Sequence, residues 1–313
     1  MSNLKKIKIV TDSTCDLSIK ELQELDVDFV PVSVIIEGKK FKQYVDITTD
    51  ELYHQLIVEK KNIGTSVPSP GEFYTVFERA LKEAETVIFV SLTKKLSAVY
   101  STAKFVAEKY FPEGKISIVD TNCVSLGEAI LVQEAAYMVK EGKTKEEIIE
   151  RIEYLAQYAK ALPLLDTLEY LHRGGRIKLY QKLLGNFLGM KALVLIDKKG
   201  SILDAKVRGR KNALIQLKMC GLQIQDHLKV NRMFVAYTTN KQLADEVVEF
   251  LKENGRKDVE VRIGQLGSAV GVHGGNDVVG FGFVGDYNSK MFTEVGNLAK
   301  DIASEQFASK IKS

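Results

Sequence analysis

Tryptophan is absent from this 313-residue chain, and cysteine, histidine and proline are scarce, with three, four and five residues respectively. Cys15, Cys123 and Cys220 are odd in number and far apart, which indicates reduced thiols rather than a disulfide framework. Neither the cysteines nor the histidines have metal-ligand spacing, and no P-loop or dinucleotide fingerprint occurs. The sequence therefore predicts no metal site and no cofactor, and it argues against a nucleotide-using kinase on this one chain.

Long apolar runs and a strong charge of either sign are also missing. The 44 Lys and Arg residues against 41 Asp and Glu residues leave a formal net charge of +3, which is too small to indicate nucleic-acid binding. No apolar run approaches the length of a bilayer-spanning helix, and the N-terminal MSNLKKIKIV lacks the apolar core and cleavage site of a signal peptide. We therefore expect a cytoplasmic protein with no nucleic-acid partner and no stable insertion into a membrane.

Apolar strands alternate with amphipathic helices over the first 160 residues, which predicts an α/β fold with a parallel sheet flanked by helices. Strands are predicted at 7–10, 29–35, 86–90 and 115–119, and helices at 17–25, 49–56, 70–81, 96–110 and 127–140. Asp16 is a candidate cap for the first helix, and Pro31 predicts an edge or irregular position in the second strand. Thr11, Ser91 and Asp120 come at the carboxyl ends of three strands, where such sheets bind ligands.

The second half of the chain predicts an α+β domain. A helix at 148–158 leads into it, and a hairpin at 191–205, a helix at 211–228, a strand at 232–237, a helix at 242–254 and a strand at 259–263 follow. We expect two domains, at residues 1–160 and 161–285, with soft boundaries between them. A C-terminal helical extension is expected at 286–313, where five apolar residues have amphipathic spacing: Met291, Val295, Leu298, Ile302 and Phe307.

Four polar segments stand out from this background. They are GTSVPSPG at 64–71 ahead of a helix, the hydroxyl-rich turn at 91–103, LEYLHRGGRI at 168–177 and the glycine-rich turn at 267–275. Free N–H groups at a helix start, together with nearby hydroxyls, suit a carboxylate or a phosphate. Each segment also has a simpler explanation, because Ser69 or Ser97 can cap a helix, Gly174-Gly175 can end one, and His273 can be a turn histidine.

In this order and at these separations, TSVPSPGEF, KKLSAVYSTA, VDT, LEYLHRGGRI and GVHGG resemble the DegV family of bacterial fatty-acid-binding proteins, over nearly the whole chain. The resemblance implies a two-domain α/β protein that holds one fatty acid in a tunnel between or beneath the domains and has no catalytic residues of its own. It implies that the hydroxyls of Thr65 and Ser97 and the imidazole of His273 hold the acyl carboxylate, with Ser66 and Gly274 beside them.

The resemblance also implies a partner, a separate ATP-dependent fatty acid kinase that converts the bound acid to an acyl phosphate. Arg176 and Arg208 match positions tied to kinase engagement or phosphate contact, whereas an ordinary surface role stays open for Arg173 and Arg210. Eight apolar residues are candidates either for the wall around the acyl tail or for ordinary core: Leu126, Ile130, Leu131, Leu183, Leu184, Phe187, Leu188 and Met190.

Two short segments depart from the family pattern. Ala98-Val99 stands where the family commonly has Gly-Thr, and residues 274–277 read Gly-Gly-Asn-Asp where the family commonly has Thr-Gly-Pro-Gly. The first change removes a hydroxyl, and the second removes a hydroxyl and adds an acid. These departures bear on ligand identity and kinase coupling more than on the fold.

Two other functions stay open on the sequence. A small-substrate hydrolase or transferase would use His273 as acid or base and Ser97 as nucleophile. Only Asp277 is a candidate to orient that histidine, and no G-x-S-x-G elbow occurs. A lipid-sensing regulator would use the same pocket without a kinase.

Overall fold

The computed structural model describes residues 5–177 and 189–294. The strands within these ranges are β1 (Lys5–Asp12), β2 (Val27–Val30), β3 (Ser33–Ile36), β4 (Lys39–Lys42), β5 (Ile63–Ser66), β6 (Ala84–Ser91), β7 (Ile116–Asp120), β8 (Ala159–Leu165), β9 (Met190–Asp197), β10 (Gly200–Arg208), β11 (Leu228–Tyr237), β12 (Glu260–Gln265) and β13 (Val279–Gly285). The α-helices are α1 (Ile19–Leu25), α2 (Thr49–Tyr53), α3 (Pro70–Glu83), α4 (Val99–Tyr110), α5 (Leu126–Lys140), α6 (Lys145–Ala156), α7 (Glu169–Arg173), α8 (Arg210–Gln225), α9 (Lys241–Asn254), α10 (Ser268–Gly274) and α11 (Lys290–Thr293). A 3₁₀ helix spans Ser13–Cys15, and a π-helical segment at His54–Val58 continues α2.

The predicted parallel sheet is confirmed. Its strand order is β2-β1-β6-β7, and each neighbouring pair runs parallel. Asp12, Ser91 and Asp120 are the last residues of β1, β6 and β7, so the polar residues at the strand ends lie along one edge of the sheet. The α/β fold class predicted from the alternation is therefore correct.

A second sheet of six strands has the order β10-β9-β8-β13-β11-β12, in which only β11 and β12 pair in parallel. Strand β13 lies in its interior and is not predicted from the sequence, because Gly280 and Gly282 take two successive positions on the face where side chains would mark a strand. The glycines allow a close approach: a Cβ on Gly282 would lie 2.5 Å from the backbone carbon of Leu126.

Pro31 divides what the sequence predicts as one strand at 29–35. Residues on its two sides belong to β2, in the parallel sheet, and to β3, at the centre of a third sheet with the order β4-β3-β5. Proline lacks the N–H that would continue a strand ladder, so the chain leaves the first sheet there. Strand β5, which pairs with β3, carries Thr65.

The structure shows which residues begin three of the predicted helices: α3 begins where the sequence predicts, whereas α1 and α4 begin two or three residues later. Ser69 caps α3 through a capping box with Glu72, as the simpler explanation for that segment predicts. Asp16 is not the cap of α1, because Ser18 caps that helix and Asp16 is buried. Helix α4 begins at Val99 rather than at 96, since the Ser97 hydroxyl accepts a hydrogen bond from the Val99 N–H.

Helix α5 lies between the parallel sheet and the six-stranded sheet. It contacts β1 and β6 on one side and β8, β11 and β13 on the other. All residues from 126 to 133 are buried, as expected for a helix that is covered on all sides. One hydrophobic cluster therefore runs through both sheets, from Ile7 to Val284.

The predicted domain boundaries at residues 160 and 285 stay predictions. Of the expected C-terminal extension, α11 is described and its Met291 is buried, whereas Val295, Leu298, Ile302 and Phe307 lie outside the described residues. Within the ranges 5–177 and 189–294, no helix combines the length and the apolar character needed to cross a bilayer.

Candidate functional site

Thr65 and His273 meet although they are far apart in sequence. Strand β5 carries Thr65, helix α10 carries His273, and Thr65 Oγ1 lies 3.1 Å from His273 Nε2. The sequence predicts His273 in a glycine-rich turn, but the residue lies in the last turn of a short helix. Residues 268–274 contain small side chains that let this helix pack closely, and the predicted proximity of the threonine and the histidine is observed.

The imidazole of His273 is largely buried. Burial first, and then the positive charges of Arg176 and Arg173, lower its pKa from 6.5 to about 4, so the ring is neutral at pH 7. Its Nδ1 atom is buried and has no hydrogen-bond partner among the described residues. Gly174 packs against the ring, because a Cβ at that position would lie 2.1 Å from Nδ1.

A cavity of about 100 Å³ lies beside this pair. Its wall includes Thr65, Ser97, His273 and Gly274, and Arg176 is the only Lys, Arg, Asp or Glu among the described residues that line it. The remaining wall is mostly apolar: Val32, Leu92, Leu96, Val124, Pro163, Leu165, Leu171, Ile196, Leu266, Ala269, Val270 and Val278. Five of the seven predicted site residues therefore line one cavity.

The other two predicted site residues lie elsewhere. Ser66 is not among the residues that line the cavity, and its hydroxyl donates to the carbonyl of its neighbour Val67. Arg208, the last residue of β10, is exposed and also outside this wall. Arg210 instead pairs with Asp166 and donates to the backbone carbonyl of Asp277 at 2.6 Å.

A second cavity of about 40 Å³ adjoins the first one. The two share the wall residues Val124, Pro163, Ile196, Leu266 and Val270. The second cavity then runs between α5 and β13, where it is lined by residues that include Leu126, Phe281 and Gly282. The two adjoining cavities therefore lie one after the other between the Thr65–His273 pair and the apolar layer between the sheets.

The predicted tail-wall residues divide into three groups. Leu126 lines the second cavity and also belongs to the core cluster, so it fits both of the alternatives that the sequence left open. Ile130 and Leu131 are buried in the core cluster and Met190 is partly buried, and none of these three lines either cavity. Leu183, Leu184, Phe187 and Leu188 lie outside the described residues.

The N-terminus of α3, which the sequence analysis considered for anion binding, is not part of the site. Its first turn is closed by the Ser69–Glu72 capping box, and residues 68–72 do not line the cavity. An anion in the cavity would instead meet side chains: the hydroxyls of Thr65 and Ser97, the imidazole of His273 and the guanidinium of Arg176. Arg176 is held in place because it donates to the Gly174 carbonyl, and burial lowers its pKa.

Sequence reasoning missed two hydroxyls in the wall. Ser201 faces Ile196 across the β9–β10 pair, and its buried Oγ has no partner among the described residues. Thr14 also lines the cavity, and its hydroxyl donates to the buried Asp12 carboxylate. The pairing of Ser201 with Ile196 in the β9–β10 hairpin is the one signal that could have indicated Ser201. It would have been useful only after Ile196 was known to line the cavity.

Three buried acids lie behind Thr14. Burial raises the pKa of Asp12 to about 6 and that of Asp16 to about 7, and it raises the pKa of Glu128 well above the ordinary range. Asp12 accepts hydrogen bonds from the Thr14 and Leu92 N–H groups, which ties the end of β1 to the turn after β6. None of these three carboxyl groups lines the cavity.

Within the described ranges, no acidic residue orients His273 as a catalytic triad would require. Asp277, the candidate to orient His273, bonds instead to the side chains of Thr239 and Asn276, while His273 Nδ1 is left without an acceptor among the described residues. A nucleophile–histidine pair needs such a third group to hold the imidazole tautomer. The hydroxyls, the imidazole and the guanidinium that line the cavity can hold an anionic group.

These features define an α/β protein with a mostly apolar cavity and a cluster of hydrogen-bonding side chains in its wall. The profile of the DegV family of uncharacterised proteins matches residues 6–286, and the chain belongs to that family. A DegV domain-containing protein of Caldanaerobacter subterraneus is 32% identical over 286 residues, which is 90% of this chain and 99% of the relative.

Solved structures of relatives share the fold. A DegV family protein from Thermus thermophilus, described by its fatty acid binding, superimposes with a TM-score of 0.81 at 28% identity and covers 90% of this chain and 100% of its own. A stearic acid-binding protein from Eubacterium ventriosum superimposes with a TM-score of 0.78 at 25% identity, covering 89% of this chain and 98% of its own.

Proposed function

We propose that this protein binds a long-chain fatty acid, with its carboxylate beside Thr65, Ser97, His273 and Arg176 and its tail in the space that runs toward Leu126. The observation that carries the proposal is the Thr65–His273 contact in the wall of an otherwise mostly apolar cavity. Gly274 contributes a part of the wall that has no side chain. Ser66 lies next to the site, where its hydroxyl donates to the Val67 carbonyl.

The energetics of such a ligand favour this arrangement. A buried carboxylate is costly unless hydrogen bonds and a positive charge compensate for its lost hydration. Two hydroxyls, a neutral imidazole and a guanidinium line the cavity to meet that need. Each buried CH₂ group of the tail contributes about 0.8 kcal/mol, so a sixteen-carbon acid gains on the order of 12 kcal/mol before the costs of association.

The second part of the proposal is presentation of the carboxylate to a separate ATP-dependent fatty acid kinase. A carboxylate oxygen would attack the γ-phosphorus of ATP held by the kinase, giving an acyl phosphate and ADP. Phosphoryl transfer needs positive charge near the phosphates and little covalent help from the carrier. Arg208 is exposed and lies outside the cavity wall, which suits contact with the partner, whereas Arg176 reaches the ligand itself.

The binding proposal is tested by mass spectrometry of organic extracts from natively purified protein, followed by titration with fatty acids of different length. We expect a fatty acid in about equimolar amount, and an affinity that is about tenfold weaker but still measurable in Thr65→Val and His273→Ala variants that stay folded. Protein that carries no fatty acid and takes none up from a mixed set would overturn the proposal.

The kinase step has a separate test. ADP release by an added fatty acid kinase, supplied with ATP and the loaded protein, should fall in Arg208→Ala while the fatty-acid affinity stays at the wild-type value. Loss of both properties together would place Arg208 in ligand binding instead. Normal binding with no turnover by any fatty acid kinase would favour a lipid-sensing regulator.

A further inference from the structure

Helix α10, which carries His273, has no cap of its own. Its N-cap residue is Gly267, which has no side chain to accept the first helical N–H groups. Two side chains from distant parts of the chain take that role. Asp16 Oδ1 accepts from the Gly267 N–H at 2.9 Å, and Gln43 Oε1 accepts from the Ala269 N–H at 2.8 Å.

Both acceptors are themselves fixed by hydrogen bonds to other elements. Asp16 Oδ2 accepts from the Ser125 hydroxyl at 2.6 Å, at the start of α5. The Gln43 side-chain amide donates to the Ser13 carbonyl at 2.9 Å, directly after β1. The beginning of α10 is thereby tied to the parallel sheet and to the helix that lies between the two sheets.

Glycine is what allows these contacts to form. A Cβ on Gly267 would lie 2.2 Å from Gln43 Nε2 and 2.6 Å from Asp16 Oδ1, so any other residue would displace both acceptors. Tyr53 adds a third tie, because its hydroxyl donates to the Leu266 carbonyl at 2.8 Å, one residue before the cap. The entry into the helix is therefore held from three sides by buried groups.

We infer that Asp16 and Gln43 are positioning residues for His273: they set the placement of α10 that brings the imidazole to Thr65. Neither residue lines the cavity, so neither acts on the ligand directly. The inference rests on the proposed function, in which His273 contacts the carboxylate. His273 lies only six positions after Gly267, about 9 Å along the helix, so movement of the cap carries the imidazole with it.

Stability alone does not account for a carboxylate at position 16. Asp16 is buried together with the acids Asp12 and Glu128, and no Lys or Arg among the described residues forms an ion pair with it. A carboxylate buried in this way costs free energy that a neutral residue would not. Its two oxygens are matched instead to N–H and O–H donors that fix α10 and α5.

The chain offers a matched pair of variants for the test. Gln43 and Gln225 are both fully buried glutamines whose Oε1 accepts a backbone N–H. Gln225 accepts from the Arg256 N–H, in the part of the molecule built around the six-stranded sheet, and it lies outside the cavity wall. Gln43→Ala should weaken fatty-acid binding about tenfold, whereas Gln225→Ala should lower thermal stability and leave the affinity unchanged.

A double-mutant cycle decides whether the effect passes through His273. In a His273→Ala background, Gln43→Ala should produce no further loss of affinity. Additive losses would show that Gln43 acts independently of the histidine and would overturn the inference, as would an unchanged affinity in Gln43→Ala alone. If Gln43→Ala does not fold, Asp16→Ala is measured in the same cycle, with Asp16→Asn as the conservative variant expected to keep the Gly267 contact.

A ligand-free readout separates this inference from the proposed function. The His273 imidazole, followed by nuclear magnetic resonance in the empty protein, should have a pKa that rises from about 4 toward its ordinary 6.5 in Gln43→Ala, because a displaced ring gains access to water. Unchanged His273 resonances would overturn the positioning role even if the protein binds fatty acid. A wild-type protein that binds no fatty acid would overturn the proposed function. The His273 pKa of the empty protein would still decide whether Gln43 positions the imidazole.

Discussion

At the scale of single residues, Gly174 limits where the imidazole of His273 can lie. A Cβ on Gly174 would come within 2.1 Å of Nδ1 and 2.5 Å of Cε1 of that ring. The ring lies between this glycine and Thr65, so a methyl group at position 174 has to push it toward the threonine or into the cavity. The glycine pair of LEYLHRGGRI therefore serves the histidine as well as the end of α7.

Gly174→Ala is expected to weaken fatty-acid binding by roughly tenfold or more, because overpacking of this kind costs about 1–3 kcal/mol. The change is measured as a dissociation constant by competition against a fluorescent fatty acid. Gly71→Ala is the control, since a Cβ there has nothing within 4 Å. Equal affinities of the two variants would contradict the steric role assigned to Gly174.

Asp16 predicts an unusual dependence of stability on pH. Burial raises its pKa from 3.8 to about 7 in the folded protein, so between these values the folded state holds a proton that the unfolded chain has lost. The stability due to Asp16 is therefore present below pH 4 and is lost as the pH rises through about 7. Asp16→Asn removes this titration.

Between pH 5 and pH 8 the wild type should lose about 1 kcal/mol or more of unfolding free energy relative to Asp16→Asn, measured by urea denaturation at each pH. His273, with its pKa lowered to about 4, contributes an opposite slope below pH 6.5, but it is present in both proteins and cancels in the difference. A difference that does not change with pH would contradict the raised pKa of Asp16.

Some site residues could be predicted from sequence and others could not. Thr65, Ser97 and His273 lie in segments dense with glycine, proline and hydroxyls, which a reader of the sequence notices, and all three line the cavity. Gln43, Asp16 and Ser201 are single polar residues in ordinary surroundings. Their roles depend on contacts across 226 and 251 residues, or on a strand register, and no local pattern records these.

At the scale of elements, the meeting of β13 and α5 sets the distance between the two large sheets. Gly282 lies against the first turn of α5, where a Cβ would be 2.5 Å from the Leu126 carbon and 2.6 Å from the Gly127 nitrogen. These are backbone atoms, so no side-chain rotation can relieve the overlap. The strand or the helix has to move, and the second cavity lies between them.

Gly282→Ala should therefore destabilise the protein by about 2–3 kcal/mol, at the upper end of overpacking costs, as measured from the urea denaturation midpoint. Gly64→Ala, in strand β5 with nothing within 4 Å of its Cβ, serves as the control and should change stability by less than about 1 kcal/mol. Similar midpoints for the two variants would argue against a rigid backbone approach at Gly282.

Elements could be predicted where hydrophobic alternation was regular, and were missed where it was interrupted. Strands β1, β6 and β7 and helices α3 and α5 follow from apolar periodicity. The glycines of β13 interrupt its apolar pattern, so the sequence does not predict this strand. The sequence predicts one strand at 29–35, whereas the chain changes from one sheet to another at Pro31. In β13, glycine lowers strand propensity but allows close packing. At Pro31, proline interrupts the strand where the chain changes direction.

At the scale of the whole molecule, the cavity lies where elements from both halves of the chain meet. Its wall takes residues from β5, the turn after β6, α7, β10 and α10. A ligand that fills this space contacts both halves and binds the folded state alone. Binding then adds to the free energy of unfolding by mass action.

A fatty acid present at about one hundred times its dissociation constant should raise the melting temperature by roughly 5 °C, since it adds about 2.7 kcal/mol. At the same concentration, the methyl ester of this acid should raise the melting temperature less. It has the same tail but no negative charge for Arg176 to pair with. Equal shifts, read by calorimetry, would mean that the polar cluster contributes nothing to recognition.

The separation of 208 positions between Thr65 and His273 also has a consequence for biosynthesis. A ribosome adds about 5–20 residues per second, so the histidine is made at least about 10 s after the threonine that it meets. During that time the growing chain holds one side of the pocket and lacks the other. A free acid therefore finds its complete site only after synthesis has passed residue 273, and any product truncated before that residue never acquires it.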